Sequence, residues 1–118
     1  MRCQPPSPSP VDLDALHDDF AFTPDIDELA DGLSLLGSAS RLRIFAVLDR
    51  VGELCVCDLA KVLDMQIPAV SQHLAKLRAH RLVKYRRDAQ TLYYALSNHP
   101  LVGVARSALK DARASDSE

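Results

Sequence analysis

The sequence lacks the signatures of membrane proteins and of disulfide-rich secreted proteins. No apolar run approaches the ~20 residues that a membrane-spanning helix needs, so we expect no membrane partner. No signal-peptide pattern opens the chain, and we therefore expect a cytoplasmic protein. The 118 residues include three cysteines, which is an odd number and too few for a disulfide framework. We expect these thiols to be reduced.

Signatures of catalysis are missing as well. The sequence has no nucleophile–base spacing, no glycine-rich phosphate loop and no pair of carboxylates in an apolar setting, so we do not expect an enzyme. A chain of 118 residues has room for one core, and 47% hydrophobic with 25% charged residues is typical of a globular domain.

Charge is unevenly distributed along the chain. Residues 1–39 hold one basic and eight acidic residues, whereas residues 40–99 hold ten basic and five acidic residues, a net charge of +5. A basic segment suits a polyanion-binding module because each neutralised phosphate releases counterions. The alternative is an ordinary solvated surface.

Both ends of the chain are predicted to lie outside the folded domain. Residues 1–11 contain four prolines, which favour an extended chain, so we expect a flexible N-terminal tail that carries Cys3. The folded domain is expected to span residues 12–114, and residues 115–118 are expected to be disordered.

Helical periodicity predicts three helices in the first half of the chain. A weak helix covers Leu13–Phe20, a second starts at Pro24 and ends before Gly37, and a third covers residues 38–51. Apolar side chains surround most of the third helix, which should therefore be a buried central helix. They are Leu42, Ile44, Phe45, Val47, Leu48 and Val51.

Two helices joined by a tight turn and then a hairpin follow. The helices cover residues 56–64 and 67–80, and the period then changes to two over residues 82–87 and 91–96. A last helix covers residues 101–113, with small side chains along one seam that would let another helix approach. This order predicts a mainly α fold with a β-hairpin, a winged helix-turn-helix. The seam consists of Leu101, Ala105, Ala108 and Ala112.

Four segments resemble the ArsR/SmtB family of metal-sensing repressors. They are "RLRIFAVL" (41–48), "ELCVCDLA" (53–60), "AVSQHLAKLRAHRLV" (69–83) and "LYYAL" (92–96). "ELCVCDL" is specific to this family, whereas the other segments are shared with many regulators. The resemblance implies a homodimer that binds a palindromic double-stranded DNA operator when metal-free and leaves it when metal binds, in control of metal efflux or resistance.

Cys55 and Cys57 are candidate metal ligands. Residues i and i+2 of a regular helix point roughly 200° apart and cannot share one ion, but residues 55–57 lie at a predicted helix boundary, where the two can converge. Thiolates are soft ligands that suit Cd(II), Pb(II), As(III) or Zn(II). The alternative is that both are small buried apolar residues.

Cys3 is the candidate for a third sulfur ligand. In the cadmium and lead sensors of the family, two tail cysteines pair with the Cys-x-Cys of the other protomer, whereas this tail has one. A fourth ligand is either absent or is water, His17, Asp18 or Asp19. The arsenic sensors of the family carry a further cysteine three residues after the pair, and here that position is Ala60.

The resemblance also implies a second metal site on the last helix. Its four positions correspond here to Asn98, Pro100, Asp111 and Ala114, of which Asp111 alone can ligate, so we predict that this site is lost. We expect His99 to begin the helix rather than to bind metal.

The polar face of the second helix of the pair is the candidate DNA-reading surface. Ser71, Gln72 and His73 are the predicted base contacts, since glutamine can pair with adenine in the major groove. The predicted phosphate contacts are Lys76, Arg78, Lys84, Arg86 and Arg87.

Two rival functions remain. The same fold could use Cys3, Cys55 and Cys57 to sense oxidants or sulfide by disulfide chemistry. Alternatively, the protein could buffer metal or bind another protein without contacting DNA.

Overall fold

The computed structural model describes residues 11–116, which contain six helices and three strands. In chain order these are α1 (Leu13–Ala21), α2 (Pro24–Leu36), α3 (Ala39–Val51), β1 (Glu53–Cys55), α4 (Val56–Leu63), α5 (Ile67–Ala79), β2 (Val83–Asp88), β3 (Thr91–Leu96) and α6 (Pro100–Asp116). The order confirms the mainly helical fold with a β-hairpin. The chain divides into two units, one ending at Ala30 and one beginning at Asp31, with the boundary inside α2.

Helix α1 belongs to the first unit and is one residue longer than predicted. Asp12 caps it, since one carboxylate oxygen accepts hydrogen bonds from the backbone N–H groups of Asp14 (3.1 Å) and Ala15 (3.2 Å). No residue of α1 is buried, and Leu13 and Phe20 are both exposed.

Three helices of the second unit, α3, α4 and α5, supply most of its core. Ile44, Phe45 and Leu48 of α3 are buried as predicted, but Val51 at the end of that helix is exposed. The predicted apolar stripe of α5 is buried along its whole length, with Val70, Leu74 and Leu77 each 0% exposed. Across residues 11–116, no helix has both the length and the apolar character required to cross a membrane.

The two ends of α3 determine where the next strand begins. The Ser38 hydroxyl accepts a hydrogen bond from the backbone N–H of Arg41 (3.4 Å), and Gly52 ends the helix with its N–H donated to the Leu48 carbonyl (2.9 Å). Gly52 has φ +93°, a conformation that glycine adopts without the steric cost of a side chain. The chain therefore turns directly into β1 at Glu53.

The sheet has the strand order β1-β3-β2, and both pairings are antiparallel. We predicted the β2–β3 hairpin but not β1, whose three residues are too few to show an alternating pattern. The hairpin connection is also shorter than the predicted residues 88–90, because Asp88 pairs with Thr91 inside the ladder. The turn therefore consists of Ala89 and Gln90, with Ala89 at φ +57°.

Two helix glycines should respond in opposite directions to alanine. A Cβ at Gly32 in α2 would lie 2.5 Å from Cδ1 of the buried Leu101, whereas a Cβ at Gly103 in α6 meets no atom within 4 Å. We expect Gly103→Ala to raise the free energy of unfolding by about 0.5–1 kcal/mol, the usual helix gain. Gly32→Ala should lower it by about 1–3 kcal/mol through overpacking. Urea denaturation measures both, and equal shifts would contradict the close approach of Gly32 to Leu101.

Candidate functional site

Cys55 and Cys57, here called the thiol pair, flank the junction between β1 and α4. Cys55 ends the strand and occupies the N-cap position with φ −81° and ψ 165°, while Cys57 lies in the first helical turn. The chain thus changes from extended to helical between them, which removes the fixed divergence of a regular helix. Both cysteines are free; Cys55 is half-buried and Cys57 is exposed. The alternative that both are buried apolar residues is wrong.

Further metal ligands were predicted elsewhere in the chain. Cys3 lies outside the described residues. His17, Asp18 and Asp19, the alternatives for a fourth ligand, are exposed on α1. Ala60, which stands where the arsenic sensors carry a further cysteine, is buried in α4. Among residues 11–116, no group of three or more His, Cys, Asp or Glu side chains is positioned to hold a metal ion. The described thiol pair accordingly supplies two soft donors, and its chemistry fits a thiophilic ion.

The sheet register places the thiol pair beside the hairpin. Cys55 is opposite Tyr93 of β3, which is in turn opposite Arg86 of β2. Directly opposed residues of antiparallel strands project from the same face, so these three residues form one row across the sheet. The next row on this face, here called the outer face, consists of Glu53, Ala95 and Lys84.

Arg86 is already paired within the protein. Its Nη2 lies 2.6 Å from Oε1 of Glu53, and its Nε lies 3.1 Å from both carboxylate oxygens. The guanidinium carbon also lies 4.6 Å from the centre of the Tyr93 ring, within cation–π range. The hydrogen bonds from Arg86 hold the pKa of Glu53 below its ordinary value. This predicted phosphate contact therefore has a carboxylate partner.

The cations of the hairpin lie on two different faces. Lys84 and Arg86 share the outer face, whereas Arg87 projects from the opposite face, as does Tyr85. The Arg78 guanidinium of α5 stacks over Tyr85, 4.2 Å from its ring centre, and so joins this helix to β2. Lys84 and Arg87 are both exposed.

The polar face of α5 is exposed except at His73. Ser71, Gln72 and Lys76 are open to solvent, while His73 is half-buried. Burial lowers the pKa of His73, and the positive charges of Arg41 and Lys76 lower it further. His73 is therefore harder to protonate than an ordinary histidine, and it is less accessible to a partner than Ser71 and Gln72.

The start of α6 bears out the role predicted for His99. The Nδ1 of His99 accepts a hydrogen bond from the backbone N–H of Leu101 (3.0 Å). The backbone N–H of His99 donates a hydrogen bond to the Ser97 hydroxyl (3.1 Å). His99 thus satisfies a backbone donor that the first helical turn leaves unpaired. Of the positions corresponding to the second metal site, Pro100, Asp111 and Ala114 lie within α6.

Sequence reasoning missed Glu53 and Tyr93. Glu53 and Arg86 are 33 residues apart, and only the pairing of β1 with β3 brings them together. No periodicity or local spacing reports such a contact. A signal was present in the alternating pattern of "TLYYAL", but it predicts which residues share a face of β3 and not which strand lies beside it.

The depressed pKa of His73 can be tested by substitution. Arg41→Ala should raise the pKa of His73 because it removes a nearby positive charge, whereas Arg43→Ala, on an exposed position of the same helix, should leave it unchanged. An NMR titration of the His73 ring measures both. Equal titration in the two variants would contradict the interaction.

The same shift predicts the sign of a stability change with pH. The folded-state pKa lies below the unfolded value of ~6.5, so the unfolded chain takes up the proton first as pH falls. The free energy of unfolding should therefore decrease as pH falls from ~6.5 towards the folded-state pKa of His73. In His73→Gln this pH-dependent decrease in the free energy of unfolding should be absent, as measured by urea denaturation at several pH values.

The sequence matches a family of bacterial regulators and two repressors or resistance regulators. The model of a family described as bacterial regulatory protein, arsR family, matches residues 38–85. A transcriptional repressor SmtB homolog of Synechocystis sp. is 40% identical over 89 residues, which are 75% of this chain and 67% of that protein. The cadmium resistance transcriptional regulatory protein CadC homolog of Staphylococcus aureus is 30% identical over 86 residues, 73% of this chain and 71% of that protein.

The fold has a close counterpart among solved structures. The crystal structure of NolR from Sinorhizobium fredii superposes with a TM-score of 0.67 at 35% sequence identity. The match covers 93% of this chain and 96% of the NolR chain.

Proposed function

Because the chain belongs to the arsR family of bacterial regulatory proteins, we propose that it is a homodimeric transcriptional repressor that leaves its operator when a thiophilic metal ion binds. One observation carries this proposal. The thiol pair lies at a strand–helix junction with Cys57 exposed, and the same strand pairs with the β2–β3 hairpin, here called the wing. A ligand on the thiol pair therefore acts next to the surface assigned to DNA.

The proposed effector site consists of Cys55, Cys57 and Cys3. Two thiolates make a weak site, and a third sulfur from the N-terminal tail completes a trigonal set suited to Cd(II) or Pb(II). The relative from Staphylococcus aureus, named for cadmium resistance, supports this choice. As(III) and Zn(II) are the other candidates, Zn(II) with an added nitrogen or oxygen ligand.

The proposed DNA surface is the exposed face of α5 together with the wing. Ser71 and Gln72 are open to solvent at the N-terminal half of α5, where a recognition helix contacts base edges. His73 joins them as a partly shielded contact. The phosphate contacts are Lys76, Arg78, Lys84, Arg86 and Arg87, the last three on the two faces of the hairpin.

A groove of about 350 Å³ supports the homodimer. It lies along α6 in the second unit, and its lining is almost entirely apolar. Ala105, Ala108 and Ala112 of the predicted small-residue seam line it, so a helix of a second copy can approach closely. Two copies related by a twofold axis present two recognition helices to successive major grooves of a palindromic operator in the cytoplasm.

Release of DNA requires only a modest coupling between the two sites. An ion that ties Cys3 to the thiol pair favours a dimer geometry in which the recognition helices no longer match the operator spacing. A coupling free energy of about 3 kcal/mol changes DNA affinity about 150-fold.

The effector proposal predicts how thiol variants behave. Cys55→Ser and Cys57→Ser should abolish release from DNA by Cd(II) and Pb(II), and Cys3→Ser should lower metal affinity while apo DNA binding stays intact. Titration of reduced protein should show a thiolate-to-metal absorption band that each substitution weakens. Because Cys57 is exposed, urea denaturation should place Cys57→Ser within about 0.5 kcal/mol of the wild type. Cys55→Ser should raise the free energy of unfolding by up to about 1 kcal/mol, because serine is a favoured N-cap residue and Cys55 makes no capping hydrogen bond.

Other outcomes of this titration identify the rival functions. Release by oxidant or sulfide with no metal band would indicate thiol redox sensing. Metal binding without any salt-dependent interaction with duplex DNA would indicate a buffering protein. Unchanged metal affinity in Cys3→Ser would remove the tail from the site.

The DNA surface predicts two classes of variant. Gln72→Ala should weaken the free energy of binding to the preferred DNA sequence by about 1–3 kcal/mol and relax sequence specificity. Lys84→Ala and Arg87→Ala should weaken binding to all sequences and reduce the salt-dependence slope by about 1 each. Lys110→Ala in α6 is the control for loss of an exposed charge. Fluorescence anisotropy at several salt concentrations measures all four, and equal slopes would remove the wing from the interface.

A further inference from the structure

The Glu53–Arg86 contact crosses the whole sheet. Arg86 belongs to the row of Tyr93, yet its guanidinium reaches the carboxylate in the neighbouring row. The residue between Glu53 and Lys84 in that row is Ala95, whose short side chain leaves a recess of about 280 Å³ on the outer face. Arg86 can therefore extend over β3 to β1.

The Glu53–Arg86 contact occupies the N–H donors with which Arg86 would bind a DNA phosphate. An arginine fork binds carboxylate and phosphate with the same bidentate geometry. Here Nε and Nη2 are both directed at Glu53. A cation whose charge is neutralised within the protein also releases fewer DNA counterions, so it adds less to affinity.

The contact is nevertheless open to exchange. The side chains of Arg86 and Glu53 remain 55% and 39% exposed. Ion pairs between exposed side chains are individually weak and are screened by salt. A DNA phosphate that reaches the wing can therefore displace the carboxylate.

We propose that Glu53 competes with DNA phosphate for Arg86 and so limits the operator affinity of the metal-free protein. The inference rests on the proposed function, because it requires the wing to contact DNA. The strand β1 would then have two roles, one through Glu53 and one through Cys55, which lies two residues further along on the same face.

Glu53→Gln tests the competition in the full-length chain. The substitution preserves the shape of the side chain and removes its charge. Affinity for a duplex selected by the wild type from a random-sequence pool should increase up to about fivefold, the upper range for an exposed ion pair. The slope of log affinity against log salt should steepen by up to about 0.9, the value for one phosphate contact, because Arg86 is no longer shared between the carboxylate and DNA.

The chain offers a matched control. Asp49 of α3 forms another ion pair between side chains, with its Oδ1 2.6 Å from Nε of Arg106 in α6. Asp49→Asn makes the same charge change away from the sheet and should leave the slope unchanged. In an Arg86→Gln background, Glu53→Gln should have no effect, since the two residues act as one unit.

The outcomes separate this inference from the proposed function. A wild-type chain that selects no duplex overturns both. If the wild type binds a duplex but Glu53→Gln and Asp49→Asn show equal salt-dependence slopes, the inference alone is overturned. Weaker DNA binding by Glu53→Gln would also overturn it, because the carboxylate would then orient Arg86 for DNA. Circular dichroism verifies that each variant is folded.

Discussion

The pairing of β1 with β3 is the contact on which the arrangement of the candidate site residues depends. It comprises three residue pairs, yet it sets Cys55 opposite Tyr93 and brings Glu53 within reach of Arg86. Without it, the segment after Gly52 would be a connection between two helices, with no fixed relation to the hairpin. A short strand thus links the thiols to a cationic surface through direct cross-strand neighbours.

Periodic elements were predictable because burial imposes a period on the sequence. The stripe of Val70, Leu74 and Leu77 predicted both α5 and its buried face, and alternation predicted the hairpin. The strand β1 was not predictable on this basis, since three residues show no period. Alternation along β2 separates Lys84 and Arg86 from Arg87, but the neighbours that each side chain meets depend on the register with β3.

For the candidate site, too, local features were predictable from the sequence and tertiary contacts were not. The helix boundary predicted at residues 55–57 is confirmed, because the chain changes from extended to helical between Cys55 and Cys57. The environment of His73 could not be predicted from helical spacing alone. Its pKa is lowered first by burial in the folded unit and then by the charge of Arg41, which is supplied by a different helix.

The thiol pair lies outside the core of the unit that carries it. Leu59 and Ala60 of α4 are buried and Cys57 on the same helix is exposed, so packing places little demand on the two thiol positions. Under the proposed function, replacing them changes the effector ligands while the hydrophobic interior is retained. Duplicated genes of this architecture can then diverge towards different inducers by point substitution, because the proposed effector residues and the buried core are separate.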